Sequence, residues 1–154
     1  MIDKISQLLE VDQSKELSSL EPLSNEKLSG IVARYPAISQ QYLEFIRVIG
    51  VGSTTKGFYI YEPEPASFVE RHPSFQLYQS SSYSKVYGAR PKGDSIPADA
   101  VSIADCGASW RYCLWPSSGG GVFCLDMAGP SFEPEADDFY SFVLTNVILD
   151  KALQ

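Results

Sequence analysis

YPAISQQYLEFIRVIGVGS, residues 35 to 53, decides how the rest of the chain is read. Ser39 has the side chain of a helix N-cap, and Ile38 before it can pack on Leu43 as a hydrophobic staple. Tyr42, Phe45, Ile46 and Ile49 then recur at helical spacing, with Glu44 and Arg47 on the opposite side. Gly50 falls where a helix C-terminus favours a residue tolerant of the left-handed conformation. The segment therefore predicts an amphipathic helix running into Gly-x-Gly. A phosphate-cradling loop has the reverse order, strand first and helix after, so that helix N-terminal amides face the anion. Gly50 and Gly52 are expected to be a C-cap and a turn, with no nucleotide site.

Upstream, residues 3–11 and 24–34 have the pattern of two short helices. Ile5, Leu8 and Leu9 share one face of the first, and Leu28, Ile31 and Val32 one face of the second. Downstream the apolar period changes from helical to two. Residues 57–62, 77–81, 83–89 and 100–105 read as strands, and the Pro-bounded EPEPASFVERHP between the first two as a short helical turn. In SWRYCLW, Trp110, Tyr112 and Leu114 alternate with Arg111, Cys113 and Trp115. PSSGGG makes the next turn and GVFCLDM another strand, giving an antiparallel meander. A last helix is expected from about Glu135 to Ala152, with Pro134 near its first turn and Phe139, Phe142, Val143 and Val147 on one stripe. Helices, then about five or six antiparallel strands, then a C-terminal helix make an α+β fold.

At 154 residues, without a repeat or a linker-like stretch, the chain is expected to form one domain, residues 1–154. No apolar run approaches the roughly 18 residues that a membrane span needs. MIDKISQLLEVDQ lacks the basic and apolar regions of a secretory signal, so a cytoplasmic location is expected. Three cysteines fit that compartment; Cys106, Cys113 and Cys124 lack zinc-knuckle spacing and the single His72 is far upstream. A net charge of −7 repels nucleic acid and disfavours an anionic membrane. Between Asp126 and Asp150 there is no Lys or Arg, while Glu133, Glu135, Asp137 and Asp138 crowd together. Such carboxylates suit a helix start, and they also suit a basic partner.

Candidates for catalysis are weak. Cys106 and His72 form a conceivable nucleophile–base pair without an orienting third group. Asp94, Asp99, Asp105 and Asp126 fall at turns or strand ends, where Asp is common without chemistry. SSGGG lacks the Lys and Ser/Thr of a P-loop. Trp110, Tyr112 and Trp115 are the right type for base stacking, but the acidic balance opposes it. The sequence predicts no catalytic residues, no metal and no cofactor.

The order of these segments resembles the SUKH superfamily, the Smi/Knr-type proteins. The resemblance lies in the Pro-led Tyr42–Phe45 helix ending in Gly50-x-Gly52, the strand GFYIYEP, the pair VSIADCGASWRYCLW, the strand GGVFCLDM, and Ala136, Phe139 and Phe142-Val143 in EADDFYSFVL. It covers roughly residues 25 to 150. It implies a domain with a highly twisted antiparallel sheet, and a non-enzymatic immunity protein that binds a cognate toxin and covers its active site. A basic nuclease domain is one such toxin. A scaffold or regulatory module of the same fold is the alternative. The motif residues are expected in core and turns. Contacts are expected from exposed acids: Glu62, Glu64 and Glu70 in one segment, Glu133, Glu135, Asp137 and Asp138 in the other.

Overall fold

Three N-terminal helices form where caps and apolar periods coincide. The computed structural model describes residues 3–67, 96–107, 110–126 and 131–149. Helix α1 spans Lys4–Val11, α2 Asn25–Arg34 and α3 Gln40–Val48. Asp3, Ser24 and Ser39 cap them, accepting the N–H groups of Ile5, Lys27 and Tyr42 at 3.1, 3.3 and 3.2 Å. Their buried stripes are Ile5 and Leu8, Leu28 and Ile31, and Tyr42, Phe45 and Ile46. Leu9 and Val32, expected on those stripes, are 47% and 44% exposed. Each lies one step, about 100°, past the last buried residue, and so short a helix buries only a narrow face.

Gly50 takes φ 121° just past α3. The chain before α2 returns here: Glu21 and Val51 exchange N–H···O bonds of 2.9 and 3.0 Å. A Cβ on Gly50 would stand 2.0 Å from the Glu21 carbonyl carbon. Glycine is thus needed for conformation and for close approach together.

Six antiparallel strands follow in sequence order: β1 Gly52–Ser53, β2 Tyr59–Pro65, β3 Val101–Asp105, β4 Trp110–Leu114, β5 Val122–Asp126 and β6 Ser131–Ala136. The sheet is open, with β1 and β6 at its edges. With the helices beside it, the fold is α+β. Strand β2 runs past the expected end through Pro65, so Pro63 and Pro65 lie within it; the pairing with β3 slips between Ile60 and Glu64, an irregularity that tolerates proline. The expected strands at 77–81 and 83–89 lie outside the described residues, as does the second half of the expected helical turn, residues 68–73; its first residues, 62–65, are not a turn but part of β2.

The helices cover one face of the sheet. Tyr42, Phe45, Phe139 and Phe142 are fully buried there, Phe139 lying edge-on to both Tyr42 and Phe45 at 5.3 Å. Tyr42 keeps its hydroxyl satisfied by donating to the Tyr61 carbonyl at 2.7 Å. On the other face, Cys113 and Leu125 are buried with Ala66 and Ala100. Beside them Phe123 stacks on Phe132 at 5.0 Å, and Trp115 meets both edge-on.

The C-terminal region departs most from expectation. Residues 131–136 are not the approach to a helix but strand β6, in which Pro134 pairs with Phe123. A proline is accommodated on an edge strand because the missing N–H costs no ladder bond when it points outward. Glu135 is the extra residue of a bulge between Pro134 and Ala136. Helix α4, Phe139–Phe142, starts only at the Asp138 cap and passes into a π-helical turn, Val143–Ile148. There the Thr145 hydroxyl donates to the Ser141 carbonyl at 2.9 Å, the acceptor that an α-helical turn would offer the Thr145 N–H. Phe139, Phe142, Val143 and Val147 are buried, so the expected stripe stands although its helix begins later and changes period.

Candidate functional site

The expected contact residues fall on both sides of the sheet. On β2, Glu62 and Glu64 are exposed, and Glu62 meets Lys27 at 3.6 Å with both side chains largely in solvent. A pair so exposed contributes about 0–1 kcal/mol and leaves Glu62 able to exchange partners. Glu64 stands opposite Ser102. Glu70 lies outside the described residues.

On the far side, the four acids have different local roles. Glu133 is exposed opposite Cys124, and Asp137 is exposed beyond the end of β6. Neither makes a hydrogen bond or ion pair among the described residues. Glu135, at the bulge, has its carboxylate on the helix side, where it accepts the Asn146 amide N–H at 2.8 Å. Asp138 is half-buried and accepts the Ser141 N–H at 2.8 Å. Burial pushes the Asp138 carboxyl up, but the Ser141 donors, Lys4 and Gln41 outweigh it and hold the carboxyl below its ordinary value. Of these four, Glu133 and Asp137 present their charge most freely. Three strands separate β2 from β6, so the two acidic sets stand about 19 Å apart at about 4.8 Å per strand. They are two patches toward opposite ends of the sheet.

The weaker chemical candidates have structural employment. Asp105 forms an ion pair with Arg111 and accepts the Gly107 N–H at 2.9 Å. Tyr61 shares a 2.7 Å hydrogen bond with Ser102 on the same face. Asp99 accepts the Ser117 N–H at 2.9 Å. Asp126 ends β5 opposite Trp110. Asp94 and His72 lie outside the described residues. Burial first, then neighbouring Cys124, pushes the Cys113 thiol up to about 12; burial, then Glu135 and Asp126, does the same to Cys124. Both thiols stay protonated near neutral pH, which removes their nucleophilic form. Cys106 is half-buried at the end of β3. Trp110 and Tyr112 pack on the helix-side core while Trp115 joins Phe123 on the opposite face, so the three rings make no common platform. Among the described residues, no group of three or more His, Cys, Asp or Glu side chains is arranged to hold a metal ion, and no helix is long and apolar enough to cross a membrane.

Two buried carboxylates carry structural duties that sequence reasoning missed. Asp12 accepts the N–H groups of Glu16 and Leu17 at 2.8 and 2.9 Å, closing the 3₁₀ turn Glu16–Ser19. Glu16, only 2% exposed, accepts from the Thr55 hydroxyl and the Lys56 N–H and so ties this turn to the β1–β2 hairpin. Their signal is faint, because an acid among DQSKE looks like any solvated connection.

Neither a known family model nor a curated protein matches this chain.

Proposed function

We propose that this chain is a cytoplasmic, non-enzymatic immunity protein of the SUKH type that binds a cognate basic toxin domain and covers its active site. The observation that carries the reading is charge on a fitting frame. The chain has net charge −7, and Glu62, Glu64, Glu133 and Asp137 expose carboxylates toward both ends of the sheet. A toxin that cleaves nucleic acid needs a basic cleft; carboxylates on an inhibitor speed its approach and can stand where phosphates would. The residues of the family-like pattern support the same reading. Tyr42, Phe45, Phe139 and Phe142 are fully buried, and Gly50 takes positive φ just past α3, while Gly52, expected in a turn, also has positive φ but opens strand β1 opposite Ile60. They build the scaffold, which leaves recognition to the exposed acids.

The test is affinity purification of the tagged protein from its own cells at low and high salt, with expression of each captured partner alone. One stoichiometric basic partner, released by salt and lethal without this chain, is expected. Recovery of non-toxic partners instead would replace the immunity reading with that of a regulatory scaffold.

A further inference from the structure

Outside the acidic strands, α1 and the C-terminal helix enclose a groove of about 410 Å³. Its apolar lining comes from Leu8 and Val11 of α1, three residues apart, and from Tyr140 and Leu144, four apart on the other wall. That is the spacing by which each wall presents one continuous stripe to a third helix. Leu8 and Tyr140 are buried, whereas Val11 is 45% exposed. Tyr140 is fixed from below, since its hydroxyl donates to Glu44 at 2.8 Å and its N–H to Gln41 at 3.0 Å. The floor is therefore preformed.

The surrounding charge selects the occupant. Glu10 and Asp138 line the groove, and Asp3 and Glu44 lie near enough to act on Tyr140. Lys4 is the one cation in the lining, where its charge already acts on Asp138. Arg47 acts on Tyr140 beside Glu44, so two cations stand against the four acids and the surroundings stay acidic. A second copy of this chain would bring another seven net negative charges to an acidic rim, and an anionic lipid surface fares no better. A cationic amphipathic helix satisfies both apolar walls and rim.

We propose that the groove between α1 and α4 is the docking site for a basic amphipathic helix of the partner protein. This rests on the reading of the chain as the inhibitor of a basic protein, and it names the part of that protein that is held. Apolar side chains on one stripe of the guest helix enter between Val11 and Leu144, and flanking Lys or Arg residues face Glu10 and Asp3.

The full-length protein is titrated with a synthetic amphipathic peptide of about fourteen residues, Leu on one stripe and Lys and Arg elsewhere, followed by amide NMR shifts. A peptide of the same pattern with Glu for Lys and Arg is the control. Shifts are expected at residues 4–11 and 138–144 with the cationic peptide alone, weakening about ten-fold from about 20 to 200 mM salt. Val11→Arg and Glu10→Lys, both at exposed positions, should each lower affinity about ten-fold or more, and Glu26→Lys, at an exposed position of α2 outside the lining, should leave it unchanged. No binding below about 1 mM, equal binding of the anionic peptide, or shifts confined to β6 would each overturn the proposal. Shifts of the groove amides on concentrating the protein alone would assign the groove to a second copy, and overturn it too. A toxin partner that binds the Val11→Arg protein undiminished removes the groove from recognition while the immunity reading stands.

Discussion

Residues 35–53 and residues 131–149 present similar signals: a proline, a capping side chain and aromatic residues at helical spacing. In the first, the signals agree, and the helix forms between the Ser39 cap and Gly50. In the second, they belong to two different elements. Pro134 and the acids around it suit a helix start, yet they also suit an edge strand, where proline and charge discourage further pairing. The pattern that separates the two was present: Phe132, Pro134 and Ala136 alternate with Glu133 and Glu135 through five residues, although the bulge at Glu135 then shifts the face of Ala136. A period of two outranks a proline whose position has two explanations. The Asp138 cap then marks the true helix start.

Core substitutions sharpen the comparison with the largest effects. Phe45→Ala in the first region and Phe142→Ala in the second each remove a fully buried ring, and each should cost about 3–5 kcal/mol in urea denaturation. A cost under about 1 kcal/mol at Phe142 would mean that the C-terminal segment is not part of the same core. Gly50→Ala should cost about 2–3 kcal/mol, because it meets both an unfavourable φ and the Glu21 backbone. An unchanged urea midpoint would contradict the close return of the Glu21 segment.

Asp138→Ala should cost about 1 kcal/mol at neutral pH through loss of the α4 cap. Since the folded carboxyl lies below its ordinary 3.8, it binds fewer protons than the unfolded one. Its contribution is full above that value and disappears as pH falls through the folded pKa. The difference between wild type and Asp138→Ala should therefore shrink in acid below about pH 4, measured as paired urea midpoints. A difference constant down to pH 2 would leave the charge without a part in the cap. The smallest effect on stability, within about 0.5 kcal/mol, is expected for Pro134→Val. That change restores an N–H to the edge strand, and size-exclusion chromatography with light scattering should show more self-association. A strictly monomeric variant would mean that something other than proline protects the edge.

The alternation of SWRYCLW and the apolar runs of β3 and β5 made the meander readable, since short turns leave few ways to connect adjacent strands. Two-residue β1 was not, for it is held by its pairing with β2 and carries no pattern of its own. The π-helical turn was equally hidden, because nothing in VLTNVI departs from the residue types of an ordinary helix. For the candidate contacts, sequence identified exposed acids but not their division of labour. Glu135 bonds Asn146 and Asp138 caps α4, while Glu133 and Asp137 are exposed. Charge is visible in a sequence; the direction in which it points depends on register.

The most direct test of recognition by exposed carboxylates is stopped-flow association with the isolated toxic partner over a range of salt. The double variant Glu133→Lys/Asp137→Lys and the double variant Glu62→Lys/Glu64→Lys are compared with wild type. At least one pair should slow association roughly ten-fold at low salt and flatten its salt dependence. Rates and salt slopes identical to wild type for both pairs would contradict the central claim, that the acids toward the two ends of the sheet recognise a basic partner.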